Sequence, residues 1–255
     1  MGSEEYSTQE MMIIAAAREI RDSEVVFVGM RLPIMAFGLA RLTHAPNAVG
    51  LFESGLARYE PAADMLYTMT DPANQKGAAW ATGLFQVMGQ LQGGHVDVGF
   101  IGGAEIDRYG NINTSYIGGY RQMKVKLPGS GGAADIAGMA KRLLVIMNHE
   151  PHRLVERVSY VTSAGYLAGG DSRAEAGLTT GGPAAVITDL AILRPYGSDR
   201  ELQLASVHRG HTTDEVLART GWKLKVIPGA DQTPPPSTAE LTALHHIDRD
   251  GFWRK

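Results

Sequence analysis

Glu53 stands directly after a short apolar run, Ala48 to Phe52, that reads as a strand, and directly before Ser54-Gly55. In open α/β sheets ligands gather at the carboxyl ends of strands. A carboxylate there can attack an acyl carbon or act as a general base; the same position also suits a solvated loop carboxylate. Gly129-Ser130-Gly131-Gly132-Ala133 is a glycine-rich turn ahead of a helical stretch. Backbone amides in such a turn can hold an oxyanion or a phosphate, and the turn can equally do no more than start a helix. The spacing fits G-x-G-x-x-A through Ala134, but Arg121 to Pro128 reads as loop, so the strand that a dinucleotide site needs is missing. Asp107-Arg108-Tyr109-Gly110-Asn111 predicts a hairpin turn with Gly110 or Asn111 at positive φ. His149-Glu150-Pro151-His152 is not H-E-x-x-H, and Pro151 breaks any helix that would align the two histidines, so no metal site is expected. His245-His246 reads as surface. The chain has no G-x-S-x-G, which leaves an α/β-hydrolase serine without support.

The elements around these residues alternate. Ser7-Thr8-Gln9-Glu10 is a capping box, and a helix is predicted over Ser7 to Asp22. Val25 to Val28 reads as a buried strand, Ile34 to Leu42 as a helix, and Ala48 to Phe52 as a second strand. Asp71-Pro72 opens a helix predicted to reach Gln92. Strands are predicted at His95 to Ile101, Ile112 to Ile117, Leu143 to Met147, Val155 to Thr162, Ala184 to Thr188, Leu202 to Val207 and Leu224 to Ile227. Thr212 to Glu215 caps one more helix, and the proline run Pro234-Pro235-Pro236 reads as a stiff connector before a last one. The pattern is α/β: an open, mostly parallel sheet flanked by helices, in a single domain over residues 1–255. Residues 1–6 are expected to be flexible, and 228–236 to be the connector.

Composition narrows the function. The 255 residues carry 24 Lys plus Arg against 27 Asp plus Glu, a net charge of −3, which argues against bulk electrostatic nucleic-acid binding. Aromatic residues are 7%, too sparse for a base-stacking platform. With no cysteine there is no disulfide, thiolate metal site or thiol nucleophile. The start, Met1 to Glu5, is acidic rather than basic, Tyr6 stands where a myristoylation motif wants Ser or Thr, and no uncharged apolar run approaches the ~18 residues of a membrane span. A soluble, cytoplasmic protein is expected.

Six segments, taken together and in order, resemble the β subunit of family I coenzyme A transferases, the glutaconate CoA-transferase type in particular. They are Gly29-Met30-Arg31-Leu32-Pro33, Glu53-Ser54-Gly55, Ile101 to Asp107, Tyr109-Gly110-Asn111-Ile112-Asn113, Gly129 to Ala133, and Tyr160-Val161-Thr162-Ser163; the resemblance runs from about Ser7 to Asp248. It implies the CoA-transferase fold, akin to that of sugar-phosphate isomerases. It implies that Glu53 attacks a donor acyl-CoA, that Gly131 and Gly132, with Ala133, belong to an oxyanion and CoA-binding loop, and that Asn113 lines the site. It implies a coenzyme A thioester as substrate with no bound cofactor, a carboxylic acid such as the dicarboxylate glutaconate as acceptor, and an α subunit that completes the site. Relatives of this fold also include acyl-CoA hydrolases, ring-opening hydrolases, decarboxylases and ligand-sensing domains of regulators. Such enzymes tend to replace the nucleophilic glutamate, which is present here. No basic helix-turn-helix accompanies it, which counts against a regulator.

Overall fold

Ser7 opens the first helix by accepting the Glu10 amide on its hydroxyl at 3.1 Å while its own amide donates to the Glu10 carboxylate at 2.7 Å. The capping box read from the sequence is thus formed in the computed structural model, which describes residues 6–255. The flexibility expected of residues 1–6 falls, but for Tyr6, outside the described residues. In chain order the elements are α1 (Thr8–Arg18), β1 (Val25–Phe27), α2 (Leu32–Leu42), β2 (Val49–Phe52), β3 (Leu56–Arg58), α3 (Pro72–Gln75), β4 (Trp80–Ala81), α4 (Leu84–Gln92) and β5 (Val98–Ile101). There follow β6 (Glu105–Ile106), β7 (Ile112–Asn113), β8 (Tyr116–Gly119), β9 (Gln122–Lys126), α5 (Ala133–Met139), β10 (Arg142–Ile146) and α6 (Ser172–Glu175). The rest are β11 (Pro183–Ile187), β12 (Ala191–Tyr196), β13 (Glu201–Val207), α7 (Thr213–Ala218), β14 (Val226–Gln232) and α8 (Thr238–Ile247). Among the described residues no helix is long and apolar enough to cross a membrane.

The chain divides into two compact units: the described residues up to Phe100 with Pro235–Lys255, and Ile101–Pro234. In the first, β5, β1 and β2 lie side by side and parallel, and β3 and β4 continue the sheet antiparallel. The parallel strands are buried apolar runs, Val26-Phe27, Gly50-Leu51-Phe52 and Val98 to Ile101, as a sheet covered on its faces requires. Helices α1, α2 and α8 pack against one another. α1 buries every residue from Glu10 to Ala17, and Phe37 of α2 meets Phe52 of β2 edge-on at 6.2 Å. In the second unit β10 and β11 are parallel, β12 and β13 add antiparallel, and β14 joins β13 in parallel. Two hairpins, β6–β7 and β8–β9, stand outside that sheet. The α/β class matches the expectation.

Several local expectations are corrected. The helix predicted from Asp71 to Gln92 is two helices with β4 between them. Gly77 adopts φ +73° just after α3, which no continuing helix allows, and Gly83 is the N-cap of α4. Arg121 to Pro128, read as loop, contains β9. Ile112 to Ile117 is not one strand but β7 and the start of β8, broken at Thr114-Ser115, where Asn113 Oδ1 takes the Ser115 amide at 2.9 Å. Val155 to Thr162 forms no regular strand: isolated bridges pin its neighbourhood at Leu154, Val155 and Ser163, and the Ser159 amide donates to the Glu105 carboxylate at 2.9 Å instead of to a ladder. Residues 228–236 are not wholly a connector, because β14 runs to Gln232. A break in register, Leu204 opposite Val226 and then Ser206 opposite Asp231, absorbs Pro228 and Gly229 at the sheet edge, where proline is tolerated.

His149 shows how the second unit uses its buried polar groups. It is fully buried, with ring nitrogens 3.0 Å from Thr188 Oγ1 and 2.9 Å from Thr220 Oγ1. Burial disfavours the imidazolium and lowers its pKa to about 4. An unfolded histidine titrates near ~6.5, so between those values the unfolded chain binds the extra proton. Stability is therefore complete above pH ~6.5 and declines toward pH ~4, by at most ~3 kcal/mol from this residue. Urea unfolding followed from pH 7 to pH 4 should show that loss, and His149→Gln should flatten it.

Candidate active site

β2 ends at Phe52, and Glu53-Ser54-Gly55 form the three-residue turn that reverses the chain into β3. Phe52 pairs with Leu56, and the Gly55 amide closes the turn on the Phe52 carbonyl at 2.9 Å. Gly55 holds φ +95°, and a Cβ there would lie 2.3 Å from the Thr82 carbonyl oxygen, so no other residue fits. Ser54 serves the structure, its hydroxyl donating to the Met69 carbonyl at 3.0 Å. Each residue of the triplet thus has a distinct part. Two build the turn, and Glu53 is carried at its head, half-buried, with no hydrogen bond or ion pair to its carboxylate among the described residues. An anion held without a partner is available for bond formation. Next to the turn, beyond the Thr82 backbone that Gly55 abuts, Leu84 and Phe85 of α4 are 52% and 85% exposed, and Trp80 of β4 is exposed as well. These apolar side chains are left in water on the segment whose backbone touches the turn.

The glycine loop belongs to the second unit. Gly129 and Gly131 adopt φ +100° and +48°, and Gly132 is the N-cap of α5. The Ala133 amide is already engaged, donating to the Ser130 carbonyl at 2.9 Å. The Gly131 and Gly132 amides donate to nothing among the described residues. Two successive unused N–H groups at a glycine turn are an anion-binding arrangement.

Asn113 is fully buried and fully employed. Its Nδ2 donates to Glu105 Oε2 at 2.7 Å and to the Tyr116 carbonyl at 2.7 Å. Its Oδ1 accepts the Ser115 amide at 2.9 Å. Thr114 and Ser115 then receive the glycine loop, the Gly129 amide on the Thr114 carbonyl at 2.8 Å and the Leu127 amide on the Ser115 carbonyl at 3.0 Å. Asn113 and the loop are therefore brought together through backbone, with the asparagine acting as a strut. Glu105, buried and also bonded to the Ser159 amide and hydroxyl, anchors that strut. Residue types alone give Glu105 no role, although counting outward from the Asp107–Asn111 turn pairs it with Asn113. In that turn Gly110 has φ +72°, as expected, and the Asp107 carboxyl accepts both the backbone amide and the side-chain amide of Asn111. Burial raises the Asp107 pKa, and those hydrogen bonds lower it in part.

Residues 9–219 match the Coenzyme A transferase family. The β-type subunit of 3-oxoadipate CoA-transferase from Pseudomonas knackmussii is 42% identical over 95% of this chain and 94% of its own length. The β-type subunit of glutaconate CoA-transferase from Acidaminococcus fermentans is 32% identical over 92% of this chain and 91% of its own. The crystal structure of glutaconate CoA-transferase from that organism superposes with a TM-score of 0.91, at 28% identity, covering 100% of this chain and 99% of the other. The fold and the match over most of the chain define a CoA-transferase subunit. The chain belongs to the coenzyme A transferase family, among its β-type subunits.

Proposed function

We propose that this chain is the β-type subunit of a two-chain enzyme that moves CoA from an acyl-CoA to a carboxylic acid, with Glu53 as the covalent carrier. One observation carries the reading: the Glu53 carboxylate, raised on a strand-end turn, has no internal partner among the described residues. The carboxylate oxygen attacks the thioester carbonyl and expels CoA thiolate, leaving a mixed anhydride. The thiolate attacks the Glu53 carbonyl, which frees the donor acid and leaves a glutamyl-CoA thioester. The acceptor carboxylate then runs the two steps in reverse. Each attack creates a tetrahedral oxyanion, and the Gly131 and Gly132 amides are assigned to receive it. Asn113 and Glu105 hold that loop. The substrate is the CoA thioester itself, and no resident cofactor or metal enters these steps. A dicarboxylate such as glutaconate or 3-oxoadipate fits the relatives as acceptor, and the cytoplasm, where CoA thioesters are made and used, fits as the compartment.

The energy of the thioester survives only if water is kept from the intermediate. Glu53 is half-exposed in this chain, and Trp80, Leu84 and Phe85 offer an apolar seat beside it. An α-type subunit docked there supplies the cover. The test is an assay of the chain alone and coexpressed with an α-type subunit, with acetyl-CoA as donor and a panel of acids, in which new acyl-CoA and free CoA are both measured. Transfer is expected only from the pair, with little free CoA. Full transfer by the single chain would overturn the two-subunit reading, and free CoA without new acyl-CoA would make the enzyme a hydrolase.

A further inference from the structure

Past the end of β1 the chain runs through Gly29 and Met30 to Arg31, which opens α2 at φ 68° and ψ −125°. Those angles match the first central position of a type II′ turn, where glycine dominates because a Cβ meets the backbone. The helix follows at once, the Ile34 amide donating to the Arg31 carbonyl at 2.9 Å. An arginine held in a conformation suited to glycine is under strain, and such strain persists at sites where the side chain is needed. Nothing local accounts for it. Arg31 is exposed, makes no capping bond to α2, and has no ion pair or hydrogen bond from its guanidinium among the described residues. Buried or half-buried arginines of the same unit are occupied: Arg18 binds Glu240, Arg41 binds Glu60, and Arg58 binds the carbonyls of Asn74 and Lys76, whereas Arg21, exposed and at an ordinary φ, is like Arg31 without a guanidinium partner among the described residues.

Position gives the unoccupied cation a use. β1 and β2 are parallel with Phe27 level with Leu51, and the Val28 amide continues the ladder to the Leu51 carbonyl at 2.8 Å. Counting on, Gly29 is level with Glu53, and Arg31 begins the next element two residues later at the same end of the sheet. We propose that Arg31 is a specificity-determining residue: its guanidinium binds the second, distal carboxylate of a dicarboxylic acyl group whose first carboxyl is held at Glu53. The planar donor fork of arginine matches a carboxylate in two parallel hydrogen bonds. This assignment rests on the reading of Glu53 given above. The other anion such a substrate carries is the phosphate of CoA, and the kinetics distinguish the two.

The experiment compares the wild-type pair with a pair carrying Arg31→Gly in the β-type chain, each with its α-type subunit, using glutarate and pentanoate as acceptors of equal length. Arg31→Gly is expected to raise KM for glutarate at least tenfold and to leave KM for pentanoate within about twofold. It should keep or raise the melting temperature, because the position then carries the residue its angles favour. Arg31→Lys is expected to fall between, since it keeps the charge without the fork. Equal KM changes for both acids would overturn the proposal. So would a rise in KM for acyl-CoA donors regardless of acyl group, which would assign Arg31 to a CoA phosphate, or a fall in melting temperature with unchanged acid preference, which would make it structural. A wild-type pair that forms no covalent CoA adduct with an acyl-CoA sinks the reading of Glu53 and this proposal together; an adduct and transfer with no shift in acid preference sinks Arg31 alone.

Discussion

Alanine at position 53 is expected to reduce CoA transfer by ~10⁴-fold or more, the scale seen when a covalent nucleophile is removed, while leaving the fold intact. The two halves of that expectation have separate causes. The chemical loss follows because no other described group stands in for the carboxylate: Ser54 is committed to the Met69 carbonyl and Gly55 to closing the turn. The small structural effect follows because Glu53 is half-buried and bonds to nothing internal among the described residues, so its removal breaks no polar contact and should shift stability by ~0.5 kcal/mol or less. Intact mass gives the direct readout. Wild-type enzyme incubated with an acyl-CoA should gain one CoA, and borohydride should inactivate the loaded form; Glu53→Ala should do neither. A variant that turned over at the wild-type rate would end the mechanism. Loss of free-CoA release in the variant, with no adduct formed by the wild-type enzyme, would recast Glu53 as a general base toward water.

Much of the candidate site is legible in the sequence because its local structure rests on short signals with steep physical consequences. A short apolar run that stops at a carboxylate, with a glycine two residues on, describes a strand end and a tight reversal, and Val49–Phe52 with the Glu53-Ser54-Gly55 turn is that arrangement. The capping box at Ser7 and the cap at Thr212 are equally direct, since the bonds that make them are local. What escapes depends on contacts remote in sequence or on missing burial. β9 reads as loop because Gln122-Met123-Lys124-Val125-Lys126 is polar and wholly exposed; its two-residue alternation is visible, but no buried face reinforces it. The Asp71-Pro72 start signal is real, yet the stop at Gly77 is masked by apolar residues that belong to α4. Asn113 reads as a residue lining the site. Its part as a buried strut between Glu105 and the loop needs the hairpin register, the break at Thr114-Ser115 and the return of Leu127 and Gly129 all at once. The strain at Arg31 leaves no trace in residue types: Met30-Arg31-Leu32-Pro33 reads as an ordinary helix start.

Proline at position 132 should separate the loop's chemistry from its architecture. Gly132 already has φ −79°, inside the range proline imposes, and it stands at the N-terminus of α5, where proline is accepted. Its carbonyl still accepts the Ile136 amide at 2.9 Å, a bond that proline retains. The preceding Gly131 is the residue type best able to meet the restriction that proline places on its neighbour. What Gly132→Pro deletes is one N–H, and that N–H has no partner among the described residues, so no internal hydrogen bond is lost with it. If the amide receives an oxyanion, kcat should fall by ~10²–10³, the effect of losing one such donor, while KM and melting temperature move little. The Ala133 amide cannot substitute, because Ser130 already holds it. A kcat within threefold of wild type would remove Gly132 from the chemistry. Parallel losses in kcat and melting temperature would show the loop to be a helix-starting turn and nothing more, and the oxyanion would then have to be stabilised by donors from the α-type subunit.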